Sequence, residues 1–299
     1  HLSLRRQRQM CIRDSILIKA GVIKDISSKI TADNIPIIDA DFHFVTPPFV
    51  DSHFHMDATL SYGLPRVNKS GTLLEGIKLW GELKPNLTAD AIKERALKFC
   101  KWAIARGTLA IRSHVDVSGQ NLVGVEALLD VRETMKDFID IQLVAFPQDG
   151  LLRANCLDNL NTALDMGVDV VGGIPHFERT MEEGHESIRI LCEIAEKRGL
   201  LTDLHCDETD DPMSRHVEKL ALETTRLGLK GRVAGSHLTS MHSIDNYYFT
   251  KLISLLVEAD LNIIANPLIN ITIQGRQDNY PKRRGLTRIP EQLNAGLKV

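Results

Sequence analysis

Five residues, His53-Phe54-His55-Met56-Asp57, carry side-chain types at a spacing that chemistry can use. They follow an apolar stretch that opens with Pro47-Pro48-Phe49-Val50. In an extended strand alternate side chains point the same way, so His53, His55 and Asp57 would share one face. Imidazole is the commonest protein ligand for a transition metal, and a divalent ion takes three or four such donors. A lone His-x-His also describes two partly buried histidines on a strand end. The pattern therefore gains its meaning from the elements that position it.

Those elements alternate. Apolar, strand-like runs occupy residues 49–53, 109–117, 141–146, 168–174, 200–205, 232–237 and 261–265. Helix-length segments with apolar residues three and four apart lie between most of them, as at 91–106 and 186–198. Residues 211–227 are expected to form a helix, with Asp211 as N-cap, Pro212 in the first turn and Gly228 just past the end. Strands alternating with helices predict parallel βαβ units, and seven near-continuous apolar strands predict a TIM-like (β/α)8 barrel. No Gly-x-Gly-x-x-Gly follows any strand, which weighs against a doubly wound nucleotide-binding sheet.

In such a barrel chemistry sits at the C-terminal ends of the strands. In order, these ends carry His53, His55 and Asp57; His114-Val115-Asp116; Phe146-Pro147-Gln148; Pro175-His176-Phe177-Glu178; His205-Cys206-Asp207-Glu208; Ser236-His237 with His242 beyond; and Asn266-Pro267-Leu268. Residues able to ligate a metal or move a proton fall at nearly every strand end. Ordinary helix caps and loop polars explain one or two of them, but not the set.

The rest of the chain bounds the reading. Its 299 residues fit one large α/β domain or two ordinary ones. A net charge of -3 makes no case for a nucleic-acid or membrane partner. The basic run Lys282-Arg283-Arg284 reads as a solvated loop. No apolar run approaches the roughly 20 residues of a membrane span, and no secretory signal is visible. Five scattered cysteines with no Cys-x-x-Cys pair fit a reducing, cytoplasmic compartment. Ile16-Leu17-Ile18, Gly21, Val22-Ile23 and Ile26 predict a short hairpin. A hairpin is no domain alone, so residues 16–46 are expected to belong to a small β-sandwich and 47–299 to the barrel. Residues 1–15 show no period or core-forming pattern; they resemble a translated sequencing-adapter scar, a genuine basic arm being the other reading, and on either reading this leader is set aside from the fold.

The strand-end pattern resembles the amidohydrolase superfamily: His-x-His on the first strand, a histidine on the fifth and another on the sixth. Longer motifs resemble the bacterial cytosine deaminases. They are Val144-Ala145-Phe146-Pro147-Gln148, Ile174-Pro175-His176-Phe177-Glu178, His205-Cys206-Asp207-Glu208, Met241-His242-Ser243, and Gln274-Gly275-Arg276 through to Tyr280-Pro281-Lys282-Arg283-Arg284-Gly285. The likeness runs from about Ile16 to the last residue. No Pro-Cys-x-x-Cys occurs, so the other known architecture for zinc-dependent base deamination is absent.

The resemblance implies roles. His53, His55 and His205 would ligate one divalent ion, iron or zinc; one rather than two, because residues 168–178 hold no lysine to bridge a pair. Glu208 would shuttle protons, and His237 would stand beside the attacking water. Gln148 would hydrogen-bond the amide edge of a pyrimidine, offering a donor and an acceptor side by side. Leu73 would pack on the base. The implied reaction is hydrolysis of cytosine to uracil and ammonia in pyrimidine salvage, by a homo-oligomeric parent enzyme acting on a small nucleobase. A related deaminase acting on another cyclic amidine, pyrimidine or pterin-like base is the alternative. The family's eighth strand carries a further metal-binding Asp, and this sequence ends at Gly296-Leu297-Lys298-Val299, where that strand would begin. The expectation is therefore a fragment, with a catalytically inert remnant as the third reading.

Overall fold

The computed structural model describes residues 15–28, 30–31, 35–41 and 43–299. The expected leader therefore lies, apart from Ser15, outside the described residues. The chain divides into two compact units, residues 1–47 and 48–299. In the first, β1 (Ser15–Lys19) pairs antiparallel with β2 (Val22–Ser27). Ala20 and Gly21 join them with φ of 50° and 72°, the left-handed pair that a two-residue hairpin turn demands.

The second unit is a nearly closed parallel barrel sheet of seven strands in sequence order. They are β3 (Phe49–Phe54), β4 (Thr108–Asp116), β5 (Asp140–Phe146), β6 (Val170–Gly173), β7 (Leu201–Cys206), β8 (Val233–His237) and β9 (Asn262–Ile264). The helices are α1 (Leu73–Leu83), α2 (Ala89–Ala105), α3 (Val123–Met135), α4 (Cys156–Asp165), α5 (Met181–Arg198), α6 (His216–Arg226), α7 (Asn246–Glu258), α8 (Pro267–Ile273) and α9 (Ile289–Asn294). Beside β9, Lys298 makes one parallel bridge to Asn262, with Ile263 N donating to Lys298 O at 2.9 Å. None of the described helices is long and apolar enough to cross a membrane.

Local chemistry explains the helix ends. Thr180 caps α5 by accepting from Glu183 N, and Gly199 closes it at φ 69°, the capping and left-handed exit that Thr and Gly favour. The start of α6 departs from expectation. Asp211 does not cap it; its carboxylate accepts from Met213 N in a local turn. The helix begins at His216, and Asp207 caps it from the end of β7. Asp207 Oδ1 accepts from His216 N at 3.0 Å and Oδ2 from Val217 N at 2.9 Å. A buried carboxylate outcompetes an exposed one because the buried amides have no water to turn to.

The barrel interior holds a polar layer. On β7, buried Asp203 accepts from Arg112 of β4 at 2.9 Å and from Ser236 of β8 at 2.7 Å. Arg112 also donates to Gln142 of β5 at 2.7 Å. Burial opposes ionisation of Asp203, but His114, Arg112 and Ser236 outweigh it and hold the carboxyl below its ordinary range. Two residues further along β4 and β7, on the same strand faces, stand His114 and His205. The polar layer thus lies directly beneath the histidines.

Strand β6 is short and close to its neighbours. A Cβ on Gly172 would stand 2.6 Å from Ala145 O, a backbone atom of β5 that cannot move without breaking the ladder. Gly172→Ala is therefore expected to cost about 1–3 kcal/mol, the usual range for overpacking. Denaturant unfolding measures it; an unchanged midpoint would show that β5 and β6 can separate freely.

Candidate active site and metal centre

Five imidazoles meet at the C-terminal end of the barrel: His53 and His55 from β3 and its exit, His114 from β4, His205 from β7 and His237 from β8. Their ring centroids stand as close as 4.4 Å, for His53 and His114, and the widest recorded pair, His53 and His55, is 5.5 Å apart. His53 Nε2 faces His237 Nε2 at 3.1 Å, and His55 Nε2 faces His205 Nε2 at 3.1 Å. Two trios have ligand atoms mutually within 4.8 Å: His53, His205 and His237; and His53, His55 and His114. Neither trio is the expected set of His53, His55 and His205: those three rings stand 4.5–5.5 Å apart by centroid, and each trio draws in His237 or His114 in place of one of them.

The donor set suits a divalent ion. Tetrahedral zinc with N ligands at 2.0–2.1 Å separates those nitrogens by about 3.3 Å, close to the spacing of the facing pairs. The buried Nδ1 atoms of His53 and His205 and both ring nitrogens of His114 have no hydrogen-bond partner. Burial, then the neighbouring imidazoles, push His53, His55 and His205 well below the ordinary histidine range. They rest neutral, the form that ligates. Phe146 stacks on His205 at 4.2 Å and shields one side of the cluster.

Asp57 does not join them. Strand β3 ends at Phe54, so the two-residue alternation stops short of it. Its carboxylate instead accepts from Ala58 N and Asp116 N.

Glu208 follows β7 and is buried beside the cluster. Its Oε1 lies 3.0 Å from His237 Nδ1 and accepts from Asn270 Nδ2 at 3.0 Å. Burial opposes its ionisation, but His237, His176 and Asn270 prevail and keep the carboxyl below its ordinary range. The chain turns sharply to present these groups. Asp207, His237 and Leu238 have φ of 52°, 72° and 49°, left-handed values that non-glycine residues adopt only when surroundings hold them there. Asp207 is held by four donors: the two amides of α6, Ser214 Oγ at 2.7 Å and His216 Nδ1 at 2.8 Å.

Gln148 stands just past β5, half-buried, and its side-chain amide is unbonded among the described residues. Leu73 is the first residue of α1, capped by Thr72. A polar strap anchors the opposite end of α1 to Asp149, the residue after Gln148. Lys84, just beyond α1, pairs with Asp149 at 2.6 Å and Asp116 at 3.1 Å, and Trp80 Nε1 donates to Asp116 at 2.6 Å. Arg283, expected in a solvated basic loop, is pinned instead: it pairs with Asp278 at 2.5 Å and donates to Asp210 O.

The sequence places His114 and Asn266 at strand ends without assigning either a role, and it does not single out Asn270. For the asparagines a signal existed, because residues four apart share a helix face. For His114 it was the period-2 run Arg112, His114, Asp116 on one strand.

Comparison with known proteins places this arrangement. A family model described as the amidohydrolase family matches residues 36–299. The structure of 5-methylcytosine deaminase from Klebsiella pneumoniae with 5-fluorocytosine superposes with a TM-score of 0.91 at 41% identity, covering 95% of this chain and 70% of that one. Pterin deaminase of Rhizobium rhizogenes is 29% identical over 292 residues, 96% of this chain and 66% of that protein. N-isopropylammelide isopropyl amidohydrolase of Pseudomonas sp. strain ADP is 30% identical over 276 residues, 87% of this chain and 66% of that protein. The chain thus spans just under two thirds of the length of these two relatives.

One measurement tests the ligand assignment. His205→Ala is expected to lose the stoichiometric divalent metal bound by the parent protein, as read by elemental analysis. Full retention would remove His205 from the ligand set.

Proposed function

The chain belongs to the amidohydrolase family, metal-dependent hydrolases, and on that premise we propose that it serves the hydrolytic deamination of a cytosine-type base, with cytosine and 5-methylcytosine as the substrates of choice. The observation that carries this reading is the placement of a buried carboxylate, Glu208, 3.0 Å from His237 at the edge of the imidazole cluster. The likeness to a 5-methylcytosine deaminase, at 41% identity, supports the choice of ring.

His53, His55 and His205 would hold one divalent ion, zinc or iron. Such an ion supplies Lewis acidity, which makes water a usable nucleophile near neutral pH. The remaining work falls to the chain's own groups. Water adds to the ring carbon that bears the amino group. Glu208, resting as a carboxylate, takes a proton from that water and delivers it to the adjacent ring nitrogen. It then relays the second proton to the exocyclic nitrogen, the carbon–nitrogen bond breaks, and ammonia leaves as a neutral amine. His237 is placed to hydrogen-bond the attacking oxygen. Gln148 presents a donor and an acceptor to the amide edge of the ring, and Leu73 packs against its face.

A second reading, deamination of a pterin-like bicycle, is favoured by the likeness to pterin deaminase along 96% of the chain. A substrate panel separates the two. The metal-loaded protein is offered cytosine, 5-methylcytosine, pterin and N-isopropylammelide, and ammonia release is followed. Highest kcat/KM for a cytosine-type base is the expected result; preference for pterin selects the second reading, and no ammonia from any of them overturns both.

Two variants test the roles. Glu208→Gln is expected to lower kcat by roughly 10²–10⁴-fold, the worth of a general acid–base group, with metal content unchanged. Gln148→Ala is expected to narrow the kcat/KM gap between cytosine and analogues lacking the paired amide edge. Near-normal turnover by Glu208→Gln would refute the shuttle.

A further inference from the structure

Asn270 is 2% exposed on α8, just beyond β9. Its backbone is fixed at both poles: Asn270 N donates to Asn266 O at 3.1 Å, and Gln274 N donates to Asn270 O at 3.0 Å. Its side chain spends both ends of the amide on the site. Nδ2 donates to Glu208 Oε1 at 3.0 Å, and Oδ1 lies 3.2 Å from His237 Nδ1.

These contacts settle protons as well as positions. An amide oxygen only accepts, so the Asn270 Oδ1 contact requires the hydrogen of His237 to sit on Nδ1. Glu208 Oε1 lies 3.0 Å from the same nitrogen. His237 Nε2 then carries the lone pair. Asn266 Nδ2 stands 3.3 Å from Nδ1 and 3.4 Å from Nε2, so Asn266 does not itself choose between the two; with the hydrogen on Nδ1 it can donate only to Nε2. The same contacts treat the two oxygens of Glu208 unequally. Oε1 accepts from Asn270 and from His237, whereas Oε2 has no hydrogen-bond partner among the described residues.

We infer that Asn270 is a positioning residue that clamps Oε1 of Glu208 and the Nδ1 edge of His237, so that Oε2 alone is presented for proton transfer. This rests on the deaminase reading above, in which Glu208 moves the protons. The clamp divides the carboxylate into a held oxygen and a working one. Without it the carboxylate could rotate about its terminal torsion, which is broad and has no steep staggered wells of its own. Proton transfer needs the oxygen within hydrogen-bond reach of its target, and misplacement by about 1 Å costs about 10²-fold.

Asn270→Leu tests this, since leucine has similar bulk and neither donor nor acceptor. The parent, Asn270→Leu, Glu208→Gln and the double variant are compared with cytosine and 5-methylcytosine. Asn270→Leu is expected to lower kcat by about 10- to 100-fold, with KM within about threefold. In the Glu208→Gln background the same change is expected to cost less than about twofold, because no working oxygen is left to present. An equal loss in both backgrounds would show a general structural role and overturn the inference. A readout independent of turnover accompanies these arms: ¹⁵N NMR of labelled histidine in the parent and in Asn270→Leu. The His237 signals are expected to report Nδ1–H in the parent and to shift in the variant; identical spectra would overturn the clamp even if the enzyme is active. Absence of ammonia from the parent would instead strike the deaminase reading, while the spectra would still decide whether Asn270 holds His237.

Discussion

His53, His55 and His205 resist protonation, because a charge on any of them meets desolvation first and then its neighbouring imidazoles. Neutral rings leave bare nitrogens in the cluster with too few protein hydrogens to satisfy them. Unpartnered nitrogens on His53, His114 and His205 are the visible residue of that shortage. Buried polar atoms without partners are costly, and a cation at the centre removes the cost. The cluster is thus a site built to be completed by a divalent ion.

The architecture serves that constraint. A parallel barrel sends all its strand ends to one rim, so ligands from β3, β4, β7 and β8 converge without any long loop. Below them, Asp203, Arg112, Gln142 and Ser236 cross-link four strands in the interior layer. Around them, strained left-handed residues at Asp207, His237 and Leu238 turn the chain so that Glu208 and the two rings meet. Such conformations cost of order 1–3 kcal/mol each. Asp207 offsets its own by accepting four hydrogen bonds, two of which start α6. The same carboxylate therefore ends a strand, begins a helix and braces the proposed proton shuttle next to it.

The comparison with relatives sharpens one contrast. The imidazole cluster and the carboxylate suit amide and amidine hydrolysis in general, and the chain is similar to proteins named as a 5-methylcytosine deaminase, a pterin deaminase and an N-isopropylammelide isopropyl amidohydrolase. Discrimination among rings must reside in groups that touch the ring rather than the metal. The proposed ring contacts, Leu73 and Gln148, sit on different elements, at the start of α1 and just past β5.

Much of this was legible in the sequence. The seven strands declare themselves as apolar runs because both faces of a barrel strand are covered, and periodicity is a local property. His53, His55, His205, Glu208 and His237 stood out because reactive types recurred at strand ends. What the sequence could not express was where a strand stops or which distant groups meet. Asp57 belongs to the His-x-His pattern by alternation, yet β3 ends at Phe54 and the carboxylate turns to backbone amides. Asp211 fits the local rules for a cap, yet Asp207 wins because it is buried against amides that have no other partner. Asn270 meets Glu208 across 62 positions of chain, and His237 meets His53 across 184. Local sequence determines the elements and the chemistry available to them; only closure of the sheet, which brings remote strand ends within 3 Å or so, decides which of those groups act together.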